Sequence, residues 1–475
     1  MIELSENITG YISKHFGNNY LDNYKEYFYG EYQPYLRIST FHDSGKLIDK
    51  LKPYGIELES VDAVKNAYRI TAGDSVAGKT LEFILGQYYL QSLSSMIPAL
   101  VLNPGEKDTV LDMCAAPGSK TTQLSEIMKN KGTLIANEIS LDRLKSLVFN
   151  IDKMNLVNIG VMKSKGELLS KIYDSCFDKI LVDAPCSALG ITQKKGEVSN
   201  WWNEKKAQGI AEIQHRLLVS AIKMCKVGGE IVYSTCTITL EENELMLNKI
   251  LKKYPVELVE IELPVKSSEA FTRFHDEELN PQISKARRIV PWEINSEGFF
   301  VAKLRKVAES NSSEKYPQKE KKFELLKSSS GKIKNIIGEL SERYGITKEI
   351  FDNYKYLFRN EDIYFVDKDW ESDNLEIFMR IGSKLGSIDK RQSVHLHTLG
   401  AQTFGTNANQ NVVHLNDVSE LEIYFGGRII KRDFGTPGQK IVMYDNYILG
   451  TAVASSEGLK SQFPRAFRTQ EIIFK

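Results

Sequence analysis

Residues 109–120 read TVLDMCAAPGSK, and the fold turns on them. Thr109 to Cys114 is a short apolar run that reads as a buried strand. The small residues Ala115, Ala116 and Gly118 make a turn with Pro117, and a helix opens at Ser119 and runs to Lys129. Working outward, the alternation repeats. GTLIAN (132–137) is a second strand, followed by a helix from Leu141 to Met154. NIGVM (158–162) and FDKILVD (177–183) are a third and a fourth strand. A long helix then carries Ile210, Ile213, Leu217, Ala221 and Met224 on one face, with Gly228-Gly229 as its expected stop. EIVYSTC (230–236) is a fifth strand. Strands alternating with helices imply a mostly parallel, doubly wound sheet.

The flanks differ in character. The region before residue 104 is rich in Tyr, Lys and Asp and mainly helical in pattern. It has a strand at YLRISTF (35–41), and GQYYLQ (86–91) leads into a helix ending near Leu102. From Val301 to Asn335 ten Lys or Arg stand against four acidic residues, which suits a solvated linker first and a phosphate-contacting linker second. Beyond it, expected strands at Glu422–Ile430, Gln439–Met443 and Tyr447–Val453, with glycine turns, suggest a small β-barrel.

The 475 residues leave room for two or three domains. Lys plus Arg and Asp plus Glu each total 62, so any basic surface is local. Cys114, Cys176, Cys186, Cys225 and Cys236 include no CxxC pair, which argues against a disulfide framework and a thiolate zinc site. His395 and His397 alternate on an expected strand with no ligand cluster beside them, so a packing or surface role is expected, and no metal. The polar start MIELSENITGYISKHFG has no leader core, and the apolar stretch Met96–Leu102 is too short to span a bilayer. A reduced, cytoplasmic protein without membrane contact is expected.

Doubly wound sheets bind ligands at the carboxyl ends of their strands. The loop after the first strand has neither GxGxxG for a pyrophosphate nor GxxxxGK for a triphosphate. A loop with one glycine suits a nucleoside without phosphate. Glu138, at the end of the second strand, stands where an acid accepts from ribose hydroxyls; helix capping is its plainer role. Loop and acid together point to S-adenosylmethionine.

Two cysteines lie at the carboxyl ends of successive strands, Cys186 in DAPCS (183–187) and Cys236 in STCT (234–237). One such cysteine is ordinarily a small buried hydrophobe. Two, with an aspartate, match what methylation of cytosine C5 requires. C5 is too weak a nucleophile to take a methyl group from a sulfonium. A thiolate adding to C6 makes C5 enamine-like. Charge then builds on the base, and Asp183, protonated or sharing a proton in an apolar rim, can stabilise it at N3. Cys186 is placed to assist loss of the C5 proton and release of the thiol.

On these residues the chain resembles the NOL1/NOP2/Sun family of RNA cytosine-5 methyltransferases. The matching segments are VLDMCAAPGSKTTQLSE, ANEISLDRL, DKILVDAPCSALG, GGEIVYSTCTITLEENE and GFFVAKL (298–304), with YLRISTF and GQYYLQSLSSM upstream. The resemblance implies that Cys236 is the nucleophile and that Cys186 assists product release. It implies cofactor contacts from Cys114, Ala115, Ala116, Pro117, Gly118, Ser119, Lys120, Glu138 and Asp183. DNA cytosine-5 methyltransferases use the PC-type cysteine as nucleophile and lack the second, so Cys236 favours RNA. The implied architecture is a Rossmann-like α/β methyltransferase domain over 104–305, after a mainly helical α+β RNA-binding region over 1–103. A basic linker over 306–335 and an α+β RNA-binding region over 336–475, ending in the barrel, complete it. Length and barrel are similar to bacterial 16S rRNA cytosine-5 methyltransferases with a C-terminal PUA-like domain. rRNA is therefore the expected partner and tRNA the runner-up. A non-catalytic RNA-binding assembly factor is a different class, disfavoured by intact Cys186, Cys236, Asp183 and Glu138.

Two positions depart from the family pattern. Lys165 stands before Gly166 where the family has an aspartate, and a lysine cannot accept a hydrogen bond from an adenine amino group. Weaker cofactor binding, or a backbone carbonyl in its place, is expected. Pro291-Trp292 stands where Pro-His is usual. Lys194, Lys195, Trp201 and Trp202 read equally as RNA contacts and, for the tryptophans, as anchors of the next helix. Arg428, Lys431, Arg432, Phe463, Arg465 and Arg468 are the expected basic face of the barrel.

Overall fold

The computed structural model describes residues 3–311, 314, 322–391, 393–468 and 471–475. Its centre is a large sheet. The parallel strands are β1 (Thr109–Asp112), β2 (Thr133–Asn137), β3 (Ile159–Met162), β4 (Phe177–Asp183) and β5 (Cys225–Thr235). β6 (Phe299–Lys306) adds antiparallel to β5, and β7 (Phe378–Ile381) adds antiparallel to β3, giving the order β6-β5-β4-β1-β2-β3-β7.

The strands are mainly apolar because both faces are covered. Side chains alternate between two cores. Val110, Leu134 and Leu181 pack with Met96, Leu124 and Leu147 on one side. Leu111, Ile135 and Ile180 pack with Leu217, Leu218 and Ala221 on the other. The covering helices are α1 (Ser119–Ile127), α2 (Leu141–Lys153) and α3 (Glu204–Met224). α2 starts at Ser140, whose hydroxyl accepts from Arg143 N, and buries Leu144, Leu147 and Ile151 at helical spacing. α3 is capped by Asn203 in the same way.

Four expectations change. α3 ends at Met224, not at Gly228-Gly229; Cys225 already pairs with Phe177, so the glycines lie inside β5. The stretch read as a strand from Glu422 begins as a helix, Val418–Phe425. Asp417 accepts from Glu420 N and caps it, and Leu421, Tyr424 and Phe425 are buried on one face. Third, residues 336–475 are not separate from the catalytic domain, because β7 lies in the central sheet. Gly160 of β3 makes room for it: a Cβ there would come within 2.6 Å of Trp370 and 2.8 Å of Phe378. The expected linker is also shorter, since a strand (Leu326–Lys327) falls inside it and a helix (Gly331–Tyr344) begins within it. Its residues 312, 313 and 315–321 lie outside the described residues.

The C-terminal region holds two five-stranded sheets. One runs from Leu326–Lys327 to Val394–Leu396, the other takes the strands between Val412 and Ser461. No pairing joins the edge strands of the second sheet among the described residues, so it is an open sheet. Phe463 is 3% exposed and belongs to its core, not to a basic face. Arg428, Lys431 and Arg465 are exposed, while Arg432 is ion-paired with Glu420 at 2.6 Å.

The N-terminal region combines helices Glu6–Phe16 and Asn18–Tyr29 with a four-stranded sheet containing Tyr35–Ile38. It is bound to the catalytic domain by buried Arg37, which pairs with Glu126 of α1 and donates to Thr122 at 3.0 Å. No described helix is long and apolar enough to cross a membrane.

Candidate active site

β1, β2, β4 and β5 end at one rim. The β1 turn enters α1 through Gly118, whose φ of 110° lies in the region that side chains disfavour. Lys120, in the first turn of α1, reaches across to β4. Its ammonium donates to Asp183 Oδ2 at 2.8 Å and to Ser95 Oγ at 3.0 Å. Asp183 Oδ1 accepts from Ser234 Oγ of β5 at 2.8 Å. Asp183 thus has two donors, and the proton expected to be held or shared there is present on the Lys120 ammonium. Burial works against the ammonium, but Asp183, with Cys236 adding to it, outweighs burial and holds the Lys120 pKa above its ordinary value.

The two cysteines meet beside this pair. Cys186 Sγ and Cys236 Sγ are 3.1 Å apart, and both side chains are partly exposed. The hydrogen bond with Cys236, and then burial, pushes the Cys186 thiol well above the usual range. Cys186 therefore keeps its proton and can donate it to the neighbouring sulfur. The two loops are fastened together. Ser187 Oγ lies 2.9 Å from Thr237 Oγ1. Buried Glu242 accepts from Ser187 N at 2.9 Å, Thr239 Oγ1 at 2.8 Å and Gln214 Nε2 at 2.8 Å. Gly190 N donates to Cys236 O at 2.9 Å, and Tyr24 of the N-terminal region donates to Leu189 O at 2.7 Å. The N-terminal helices thus pack against the turn that positions the sulfur.

At the β1 and β2 ends the polar groups form a cradle. Glu138 is 2% exposed; its Oε1 accepts from Ser140 N at 2.9 Å and its Oε2 lies 3.5 Å from Arg143 Nη1. Asp112 Oδ1 and Asn137 Oδ1 are buried acceptors without a donor. A nucleoside presents hydroxyl and amino donors, so the residues present fit one. Burial pushes Asp112 up to about 7 and Cys114 well above the usual thiol range. Lys165 is exposed at the start of a 3₁₀ turn, and the carbonyl of Ser164 before it accepts from Asn137 Nδ2 at 3.1 Å.

Other candidates fall elsewhere. Trp202 is 1% exposed and meets Tyr11 edge-on at 5.2 Å, which is an anchoring role. Trp201 is half-buried with Lys206 5.7 Å from its ring centroid. Lys194 pairs with Glu297 at 3.3 Å, and Lys195 is exposed. His395 pairs with Asp389, and His397 caps a helix through Leu399 N. No metal-binding cluster occurs among the described residues. Sequence reasoning missed the Lys120–Asp183 pair and Glu242. The signal for Glu242 was present, an acid directly after the second cysteine motif in TITLEENE (237–244).

Known proteins share this arrangement. A family model described as 16S rRNA methyltransferase RsmB/F matches residues 99–305. Ribosomal RNA small subunit methyltransferase F of Shewanella piezotolerans is 32% identical over 445 residues, 91% of this chain and 90% of that protein. The tRNA (cytosine(49)-C(5))-methyltransferase of Pyrococcus abyssi is 36% identical over 281 residues, 59% of this chain and 90% of that one. The crystal structure of a methyltransferase homolog protein from Pyrococcus horikoshii superposes with a TM-score of 0.56 at 29% identity, covering 64% of this chain and 96% of that one.

Proposed function

Because the chain belongs to the RsmB/F family of rRNA methyltransferases, we propose that it methylates C5 of a cytosine in 16S rRNA through a covalent bond from Cys236 to C6. It is an RNA cytosine-5 methyltransferase that depends on S-adenosylmethionine. The observation that carries the mechanism is the 3.1 Å approach of the two sulfurs beside the Lys120–Asp183 pair.

S-adenosylmethionine supplies an electrophilic methyl group on a sulfonium. Glu138 and the turn from Cys114 through Ala115, Ala116, Pro117, Gly118 and Ser119 to Lys120 would hold it, with Asp112 and Asn137 offering their free acceptors. Lys120 places positive charge near the sulfur of Cys236. The thiol of Cys186 donates to the same sulfur. Attack at C6 places negative charge on the ring, which the Lys120–Asp183 pair and its bound proton stabilise. Once C5 carries the methyl group, the C6–S bond breaks, Cys186 passes its proton to the departing Cys236 sulfur, and the C5 proton moves to Cys186 in its place.

rRNA is favoured over tRNA because the small-subunit rRNA relative matches this chain through its C-terminal region, whereas the tRNA relative matches 59% of it. Residues 1–103 and 336–475 would contact RNA beyond the target base, in the cytoplasm. The decisive test is Cys186→Ser with a transcribed 16S rRNA fragment and S-adenosylmethionine. A covalent RNA–protein adduct should accumulate, with its crosslink mapping to Cys236. An adduct on residue 236 that fails to form, or forms with tRNA alone, refutes the mechanism or the target respectively.

A further inference from the structure

An open cleft of ≈ 560 Å³ lies where three parts of the chain meet. His42, Lys46 and Lys50 come from the N-terminal region, Lys153 from the last turn of α2, and Gln402 and Thr403 from the C-terminal region. α2 starts at the catalytic rim and runs back along the sheet, so its last turn, and this cleft, are at the opposite end of the strands.

The cleft's charge is one-sided. Asp43 is the only acid on its wall among the described residues, against those three lysines; burial lowers the His42 pKa and favours its neutral ring. Lys50 is already engaged, with Asp445 at 2.9 Å and the Tyr447 ring centroid at 4.0 Å. Lys46 is exposed at the mouth. Lys153 is the unusual member. It is 5% exposed, and its ammonium lies 3.6 Å from the ring centroid of Phe83 and 5.3 Å from that of Tyr89. Among the described residues no charged group offsets its burial, which pushes its pKa down to about 7. Buried lysines are almost always paired, because removing an ammonium from water is costly. Ring faces recover only part of that cost. An anion with several oxygens entering this cleft would satisfy Lys153 and reach Lys46, while the side-chain amide of Gln402, which donates only one of its two hydrogens to Leu449 O, supplies a neutral donor.

We propose that this cleft is a second, anion-binding site that takes a phosphate group, with Lys153 as its buried cation and Lys46 at its mouth. The methyl donor carries no phosphate and binds at the other rim, so this site serves a different ligand. The phosphate belongs either to the backbone of the RNA substrate, which rests on the function proposed above, or to a free phosphorylated ligand.

Calorimetric titration of the full chain with inorganic pyrophosphate and with single-stranded oligouridine, at low salt, tests this. Lys153→Met should weaken phosphate binding about tenfold, as expected for loss of one charge-assisted contact, and Lys46→Ala should weaken it less. Weakening of oligouridine binding alone assigns the site to RNA backbone; weakening of pyrophosphate binding alone assigns it to a free ligand. Unchanged binding of both probes in both variants overturns the proposal. Lys46 is a surface residue, so its variant keeps the test open if Lys153→Met does not fold. Adduct formation at Cys236, measured on the same variants with a short target RNA, should persist in every case and reports separately on the proposed reaction.

Discussion

Lys120 and Lys153 are buried to almost the same depth, 7% and 5% exposed, near opposite ends of one sheet. Their charges have opposite fates. Lys120 lies against Asp183 and is held as an ammonium. Lys153 has ring faces in place of a carboxylate, and burial drives its pKa to about 7. Depth alone therefore does not set the charge of a buried lysine; the partner does. At the catalytic rim the partner is built in. At the far cleft it is missing, which marks that cleft as a place for something brought from outside.

The contrast makes activity a property of the first rim. Cys236→Ala should lower methyl transfer by ~10⁴-fold or more while leaving the thermal transition in place, since it removes the nucleophile and little packing. Measurable turnover from that variant would break the comparison at its root. Lys120→Met, which leaves Asp183 as an uncompensated carboxylate, should cost about 10²–10³-fold in kcat. Lys153→Met should instead act on stability. Its folded pKa of about 7 lies below the ordinary 10.5. Between those values the unfolded chain binds more protons, so wild-type stability rises as pH rises through that window. The Met variant should be more stable at neutral pH, by a few kcal/mol at most, and its urea midpoint should lose the rise towards pH 10. An unaltered pH dependence would show that Lys153 is not desolvated in solution.

Much of this was legible in the chain. TVLDMCAAPGSK fixed the strand–turn–helix unit because its apolar run and small-residue turn are local signals. Cys186 and Cys236 could be put on one rim because each follows an apolar strand in a parallel series. The Lys120–Asp183 pair could not be read, because it depends on a helix start and a strand end 63 residues apart being neighbours. Lys153 reads as an ordinary charged residue closing a helix; its burial arises only when Phe83 and Tyr89 of the N-terminal region pack over it. The helix Val418–Phe425 was mistaken for a strand because ELEIYF is rich in β-formers, and the cap at Asp417 decided the matter. β7 was invisible for a similar reason: nothing in FMRI says which sheet it joins.

The donation of β7 also bears on how the protein can be handled. A fragment ending at residue 306 would contain the whole catalytic rim and look like a reasonable minimal enzyme. It would also strip the outer side of Ile159–Met162, leaving its amides and carbonyls open beside a bare Gly160. Such an unprotected flank invites strand-to-strand association with other copies. Poor solubility of that fragment would then reflect a lost seal and say nothing about catalysis.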